Sequence, residues 1–459
     1  MDPQFAFILL KYCLNTKSNY LARVCRPWLV KSFFSSFDNS VDSLIAFWAK
    51  ADNLTTVASM MRGTSMGLGV PRISSICIPA YVASYSVALY KGKTTYSTEW
   101  NWTFNEGDAQ LLEHSSLLSP YFPGFSFRGY NGEVRNQKDL SSIIESATVQ
   151  DIASMLEKFP AKLSYFKSAI LNKAIWTHWP LFCGKSPGIR FDNTFFSISI
   201  NLRLLMDVSP SSLVGIRCFC SRQGRPVIIG DPIDQLHCFD CNNVAANRIE
   251  RHDFVNKEIL LLIRRYIPHA SVEAEHLIRY ANAEDKKADL KICLPNSQIF
   301  YLDVTIFNPG SRSYQNLPPE SLMKIKEKSK REQYRKVGFD LSDSSMIPFV
   351  IDVTGNIGAS GLSFIDLLHS FAKEKCPQFK QIFHRRINVA LTYGLAKTIL
   401  SFNDYLSCAS SNYQDVPPPV SVQPMSPTKI INKHSHHTED SSDDEGGGLE
   451  VLLGYVSRK

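Results

Sequence analysis

Two aspartates in the second half of the sequence have the surroundings and spacing of a hydrolytic metal site. Asp303 lies within 298–307, where apolar residues alternate, so a strand would turn its carboxylate away from the apolar face. Asp289 comes fourteen positions earlier, in the strand-like run 288–292, and two adjacent strands would bring both carboxylates to one edge. Mg²⁺ (or Mn²⁺) prefers such oxygen ligands, lowers the pKa of an attacking water and offsets charge on a phosphate. We therefore predict metal-dependent phosphodiester hydrolysis, with Asp289 and Asp303 binding the metal.

A strongly basic segment follows the Asp303 strand, and prolines at 318–319 are typical of a helix start. Its cations are Lys324, Lys326, Lys328, Lys330, Arg331, Arg335 and Lys336. Intervals of four place Lys326, Lys330 and Tyr334 on one helix face. A lysine at such a site orients water and stabilises a charged transition state.

The alternative interpretation of this helix is a solvated basic face. Its position directly after the Asp303 strand favours catalytic roles for Lys330 and Tyr334. We expect Lys326 and Arg331 to contact DNA, and the choice between Lys326 and Lys330 as the catalytic lysine stays open at this point.

Polar residues upstream of the strands are further candidates. His252 and Asp253 open a helix, and we expect Arg251 and His252 to contact DNA. Glu273 and Glu275 follow that helix, where a glutamate could complete the metal site. Either glutamate is equally consistent with an ordinary surface charge. The glycine-rich run 355–361 matches neither phosphate-binding pattern, so we interpret it as a strand-to-helix turn.

Four soft ligands in the middle of the chain predict a structural Zn²⁺ site. Cys218 and Cys220 form one closely spaced pair, and His237 and Cys241 form a second pair after sixteen intervening residues. Within each pair the spacing is short enough for both side chains to bind the same ion. Cys238 is an alternative ligand, and unligated loop thiols are the other interpretation. The remaining isolated cysteines indicate reduced thiols in a reducing compartment rather than a disulfide framework.

The order of these segments resembles the restriction-like endonuclease of non-LTR retroelements, a family with the PD-(D/E)XK nuclease fold. The resemblance runs through 251–253, 272–275, 288–289, 302–305, 330–334 and 348–358, and the family also carries a Cys/His zinc knuckle before the nuclease. It implies that Asp289 and Asp303 bind metal and that Lys330 is the catalytic lysine displaced onto a helix. It favours Glu275 over Glu273, and it implies cleavage of a chromosomal target strand.

Two departures from the family and one absence qualify the resemblance. Ala288 stands where proline is usual, and Gln333 stands where a second lysine is common. The segments 67–72 and 80–84 resemble the region downstream of a retroelement polymerase core, yet the sequence has no Tyr/Phe-x-Asp-Asp motif. We therefore expect no reverse transcription from this chain, which is similar to the C-terminal part of a longer polyprotein or to a gene derived from one.

The length of 459 residues predicts several folded units in an α+β multidomain chain. The predicted units are a mostly helical half made of a thumb-like segment 1–100 and a helical linker 101–215, a zinc knuckle 216–245, an α/β restriction-endonuclease-like domain 246–402 and a disordered tail 403–459. No secretion signal or membrane span is evident, so the nucleus is the expected location, with the cytoplasm as alternative.

A net charge of +7 favours a polyanionic partner, and we expect double-stranded DNA, with the element's own RNA as a further partner. Three functions are consistent with these residues. The first is an Mg²⁺-dependent endonuclease that nicks DNA for integration. The second is a nucleic-acid-binding protein that has lost turnover, and the third is a repair or junction-resolving nuclease with a similar core.

Overall fold

The computed structural model describes residues 2–95, 137–171, 191–220, 227–278, 286–336 and 345–413. The chain divides into two units, Met1–Asn412 and Tyr413–Lys459, and the elements below belong to the first. Most of the predicted tail, from residue 414 onward, lies outside the described residues. No helix within the described part of the chain combines the length and apolar character needed to cross a membrane.

Helices make up the described part of the N-terminal half, as the three-to-four spacing of its apolar residues predicted. They are α1 (Pro3–Leu9), a π-helical turn (Leu10–Leu14), α2 (Asn15–Val24), α3 (Pro27–Ala49), α4 (Thr56–Gly63), α5 (Ile73–Thr95), α6 (Gln137–Met155), α7 (Pro160–Leu171) and α8 (Asn193–Arg203). Side-chain oxygens of Asp2, Thr55 and Asp192 accept backbone N–H groups at the starts of α1, α4 and α8, which satisfies donors left open there.

A buried ion-pair network joins three of these helices. The Arg62 guanidinium on α4 lies 2.6 Å from carboxylate oxygens of Asp38 and of Asp42 on α3. Asp38 also accepts the backbone N–H groups of Ile73 and Ser74 at the start of α5. Because Arg62 and Asp38 are fully buried and each has an oppositely charged partner, the network holds α3, α4 and α5 in one arrangement.

A four-stranded sheet lies in the C-terminal half, with strand order β3-β4-β5-β6. Its strands are β3 (Ser271–Ile278), β4 (Lys286–Cys293), β5 (Ile299–Phe307) and β6 (Met346–Asp352). The β3–β4 and β4–β5 pairs are antiparallel, whereas β5 and β6 are parallel and are connected through helix α10. The sequence predicted β4, β5 and β6 but missed β3, whose charged residues at 273 and 275 interrupt the apolar pattern.

Helices α9 (Ala245–Tyr266), α10 (Pro319–Lys336), α11 (Ala359–Ala372) and α12 (Phe379–Tyr413) accompany this sheet, and a small ribbon of β1 (Arg217–Cys218) and β2 (Val227–Ile228) precedes it. The run 355–361 forms the predicted turn between β6 and α11. Helix α12 continues through Tyr413, so the prediction that the disordered tail begins at 403 is wrong for residues 403–413. Phe402 and Leu406 are buried in the core and hold this part of the helix. One apolar cluster runs from Phe7 to Leu406, so helices from both halves of the chain share a core with the sheet.

Candidate active site and candidate metal centre

Asp289 and Asp303 lie on neighbouring strands, just past the end of the ladder that joins them. Leu290 on β4 pairs with Leu302 on β5, the last pair of this antiparallel ladder, so Asp289 and Asp303 are the next residue on each strand. Oδ2 of Asp289 also accepts the backbone N–H of Val304 at 2.6 Å. The two carboxylates therefore lie together at the end of this ladder.

Asp303 is buried beneath helix α10 and has two partners from that helix. Nζ of Lys330 lies 3.2 Å from Oδ1 of Asp303, and the Tyr334 hydroxyl donates to Oδ2 at 2.8 Å. The same hydroxyl lies 3.1 Å from the carbonyl oxygen of Lys287 on β4. Burial raises the pKa of Asp303 above its usual range, the Lys330 charge lowers it, and the nearby Asp289 charge raises it again.

Asp289 is in contact with a histidine from helix α9. Nε2 of His252 lies 3.1 Å from Oδ2 of Asp289 and 3.1 Å from the carbonyl oxygen of Val304. Burial lowers the pKa of His252, but hydrogen bonding and charge from Asp289 and then Asp253 outweigh burial and raise it to about 9. His252 was expected to contact DNA, and the structure places it on a candidate metal ligand. Asn256, one helical turn later, contacts the same ring, so the interval of four between them was a usable signal.

Helix α10 is anchored at the site by polar contacts with the start of α11. The buried carboxylate of Glu327 accepts the backbone N–H of Ser360 at 2.8 Å, and Arg331 donates to the Ser360 hydroxyl at 2.6 Å. A Cβ atom at Gly358 would lie 2.3 Å from Oε1 of Glu327, so a larger residue there would displace the Glu327 carboxylate. Lys326 lies over the ring of Tyr314, with Nζ 4.9 Å from its centroid.

Two expected participants are not brought to the site, and one expected DNA contact is buried. Glu275 has a left-handed backbone (φ 51°) and forms an exposed ion pair with Lys287 at 2.5 Å, while Glu273 is largely exposed. Among the described residues, neither Asp289 nor Asp303 belongs to a group of three or more closely spaced His, Cys, Asp or Glu side chains. The Arg251 side chain packs against Gly394 in the interior, so the expectation that it contacts DNA is wrong.

Cys218, Cys220, His237 and Cys241 converge in the small β1–β2 module, as predicted. Their ligand atoms all lie within 4.8 Å of one another. The sulfur atoms of Cys218 and Cys241 are 3.6 Å apart, close to the separation of about 3.8 Å between two sulfurs on a tetrahedral zinc. Their hydrogen bond raises the pKa of Cys218 to about 12 and lowers that of Cys241. This cluster can bind a metal ion.

Cys238, the alternative ligand, is not a member of the cluster. Its thiol is buried in the core, and burial raises its pKa. All cysteines within the described residues are free thiols.

The Cys/His module is attached directly to the loop that follows β5. The side-chain amide of Asn308 donates to the Leu236 carbonyl at 3.1 Å and to the Asp240 carboxylate at 2.8 Å. Arg312 forms an ion pair with Asp234 in the same region. The strand that carries Asp303 therefore leads straight into contacts with the module.

Two carboxylates, a lysine and a tyrosine hydroxyl therefore lie together at this part of the sheet. In comparisons with known proteins, no family model matches the chain, and no curated protein matches it either.

Proposed function

We propose that this chain is a metal-dependent endonuclease that nicks double-stranded DNA, the activity implied by its resemblance to the restriction-like endonucleases of non-LTR retroelements. One observation carries the proposal: Nζ of Lys330 lies 3.2 Å from Asp303, the residue after Leu302, and Leu302 pairs with Leu290 next to Asp289. Hydrolysis of a phosphodiester needs anionic ligands for a cation and a positive group for the developing charge, and these three residues supply both.

Asp289 and Asp303 would hold Mg²⁺ or Mn²⁺. The pair fits this ion because Mg²⁺ in enzymes is commonly held by one or two carboxylates, with waters and substrate phosphates as its other ligands. Burial of Asp303 disfavours its negative charge, which a neighbouring cation would stabilise. When bound, the metal lowers the pKa of water and polarises the phosphate.

The surrounding side chains have separate tasks in this proposal. Lys330 supplies positive charge to the phosphate, while Tyr334 and His252 orient Asp303 and Asp289 through hydrogen bonds. The exposed cations of α10 contact the DNA backbone, with Lys328 70% exposed in its side chain.

The Cys/His cluster holds a structural Zn²⁺ in this proposal. Thiolate and imidazole are the ligands that zinc prefers, and four of them form a closed tetrahedral shell. Because the module contacts the loop after β5 through Asn308, zinc would stabilise the strand that carries Asp303. The protein would act in the nucleus, on chromosomal DNA and together with the element's RNA.

Nicking of supercoiled plasmid by the purified full chain tests the proposal. We expect cleavage in Mg²⁺ or Mn²⁺, and a loss of at least about 100-fold in rate for Asp303→Asn and for Lys330→Ala. Lys328→Ala is the matched control, since Lys328 lies on the same helix in an exposed pair with Glu332 and should cut at the wild-type rate. Equal losses for both lysine variants would contradict the assignment.

A nucleic-acid-binding protein without turnover is the second candidate. It is favoured by the direct ion pair between Lys330 and Asp303, which ties the lysine to one of the two proposed metal ligands. Wild-type protein that binds DNA but leaves the plasmid intact in both metals would establish this alternative.

A further inference from the structure

Helix α3 has an outward face without a single charged side chain from Leu29 to Phe47. Four large apolar residues on it are exposed, Leu29 at 70%, Phe33 at 53%, Leu44 at 36% and Phe47 at 76%. At 3.6 residues per turn these four project to the same side, away from the buried side chains of the helix. We call this the α3 face; its other members are Ser32, Ser36, Asn39, Ser40 and Ser43.

The serines of the α3 face have little need of water. The Ser40 hydroxyl donates to the carbonyl oxygen of Ser36 at 3.0 Å, and the Ser43 hydroxyl donates to that of Asn39 at 2.9 Å. Because these hydroxyl protons are used within the helix, covering the face costs little in lost hydrogen bonds to solvent. Small side chains at its centre also let another helix approach closely.

The order of residue types along the α3 face is nearly the same in both directions. Large apolar residues lie at each end, Leu29 and Phe33 at one and Leu44 and Phe47 at the other, with serines between them. A two-fold axis near residue 38 therefore brings Leu29 of one helix against Phe47 of an antiparallel copy. It likewise brings Phe33 close to Leu44, and serines meet serines at the crossing. Such self-complementarity is what an interface between identical subunits requires.

We propose that the α3 face is a homodimer interface, formed by two α3 helices packed antiparallel about an axis near residue 38. The four apolar side chains offer on the order of 400 Å² per copy, and the small residues between them bring a symmetric pair to about 1,000 Å². This is the lower limit for a specific interface, so association in the micromolar range is expected. The inference is independent of the nuclease proposal.

Charges at the two ends of α3 distinguish a dimer interface from a nucleic-acid-binding surface. Arg26 and Lys50 are exposed and flank the α3 face, and the two-fold axis brings Arg26 of one copy toward Lys50 of the other. Salt screens this repulsion, so the dimer should become tighter as ionic strength rises. Binding of the same surface to a nucleic acid would become weaker instead.

Sedimentation equilibrium of the full chain, from low to high micromolar concentration, tests the interface. We expect a reversible monomer–dimer equilibrium for the wild type, and at least about tenfold weaker association for Phe47→Glu. Ile249→Glu is the matched control, because Ile249 is also highly exposed but lies on α9, and it should dimerise as the wild type does. Thermal melts that agree among the variants exclude unfolding as the cause.

A mixing experiment tests the antiparallel register. Leu29→Glu and Phe47→Lys should each dissociate alone, whereas an equimolar mixture should associate, since the new glutamate meets the new lysine and the other contact stays apolar. A wild-type chain that is monomeric throughout the concentration range overturns the proposal. A mixture that stays monomeric overturns the antiparallel arrangement.

Discussion

The phenol oxygen of Tyr334 lies 2.8 Å from Oδ2 of Asp303, and both side chains are buried. The same oxygen lies 3.1 Å from the Lys287 carbonyl, so one hydroxyl from helix α10 contacts strands β4 and β5 together. It does so where the ladder between β4 and β5 ends, next to Asp289 and Asp303. The tyrosine therefore links the stability of the sheet to the geometry of the candidate site.

Replacing Tyr334 by phenylalanine should lower the free energy of unfolding by about 1–2 kcal/mol. The substitution removes the donor and leaves the buried Asp303 carboxylate with one fewer partner. Urea denaturation of Tyr334→Phe against wild type measures the effect. Tyr20→Phe is the control, because Tyr20 is 64% exposed and should not change the unfolding midpoint.

His252→Ala should reduce plasmid nicking by about 10- to 100-fold, because residues that orient a metal ligand typically contribute that much. The histidine contacts Asp289 directly, so the variant should also bind Mg²⁺ more weakly. The Mg²⁺ concentration that gives the half-maximal rate should therefore be higher than for the wild type. Asp366→Asn, an exposed carboxylate on α11, provides the comparison and should cut normally. An unchanged metal requirement in the histidine variant would rule out the orienting role.

Ionisation of Asp352 should lower the free energy of unfolding as the pH rises from about 4 to about 6. Burial raises its pKa to about 6 in the folded chain, although Ser168 and Thr354 donate to the carboxylate. The unfolded chain releases this proton near pH 3.9, so between these values the folded state binds more protons and stability falls with pH. Above about pH 6 the loss is complete, at roughly 3 kcal/mol.

Asp352→Asn isolates this contribution, because an amide can accept from Thr354 and donate to Ser168 without titrating. Urea denaturation at several pH values should give a difference between wild type and variant that grows from pH 4 to pH 6 and then levels off. A difference that is independent of pH would show that the folded pKa is not raised.

Purified wild-type protein should contain about one equivalent of zinc, and Cys241→Ala should contain less than half of that. Loss of one of four ligands opens the shell and weakens binding, while Cys238→Ala should keep its metal because that thiol lies outside the cluster. Metal analysis after gel filtration gives the stoichiometry. Equal zinc in both variants would mean that Cys241 is not a ligand.

Gly67→Ala should destabilise the chain by at least about 2 kcal/mol, whereas Gly63→Ala should be close to neutral. A Cβ atom at Gly67 would lie 1.7 Å from the backbone oxygen of Met61, and backbone cannot give way cheaply. At Gly63 the nearest atom would be 3.5 Å away, an ordinary contact. Thermal unfolding of the two variants measures the difference, and equal midpoints would contradict the close approach at Gly67.

Much of the fold near the candidate site could be predicted from local patterns. Alternation within 298–307 corresponds to strand β5, and helix α10 begins and ends where the prolines and the four-residue intervals indicated. The long α12 was underestimated, since its last turns are held by buried Phe402 and Leu406 rather than by helix signals in the sequence. A helix that is stabilised by packing against a distant part of the chain need not show helix signals in its own sequence.

The amino-acid sequence by itself determined which side of each element carries its functional groups: Asp303 away from the apolar face of β5, and Lys330 with Tyr334 on one face of α10. The tertiary structure alone decided that His252 contacts Asp289, that Arg251 is buried, that Glu275 faces solvent and that Cys241 rather than Cys238 joins the cluster. The physical reason is that periodicity orients a side chain about its own helix or strand. Distances between remote residues and their exposure to water depend on how the elements pack.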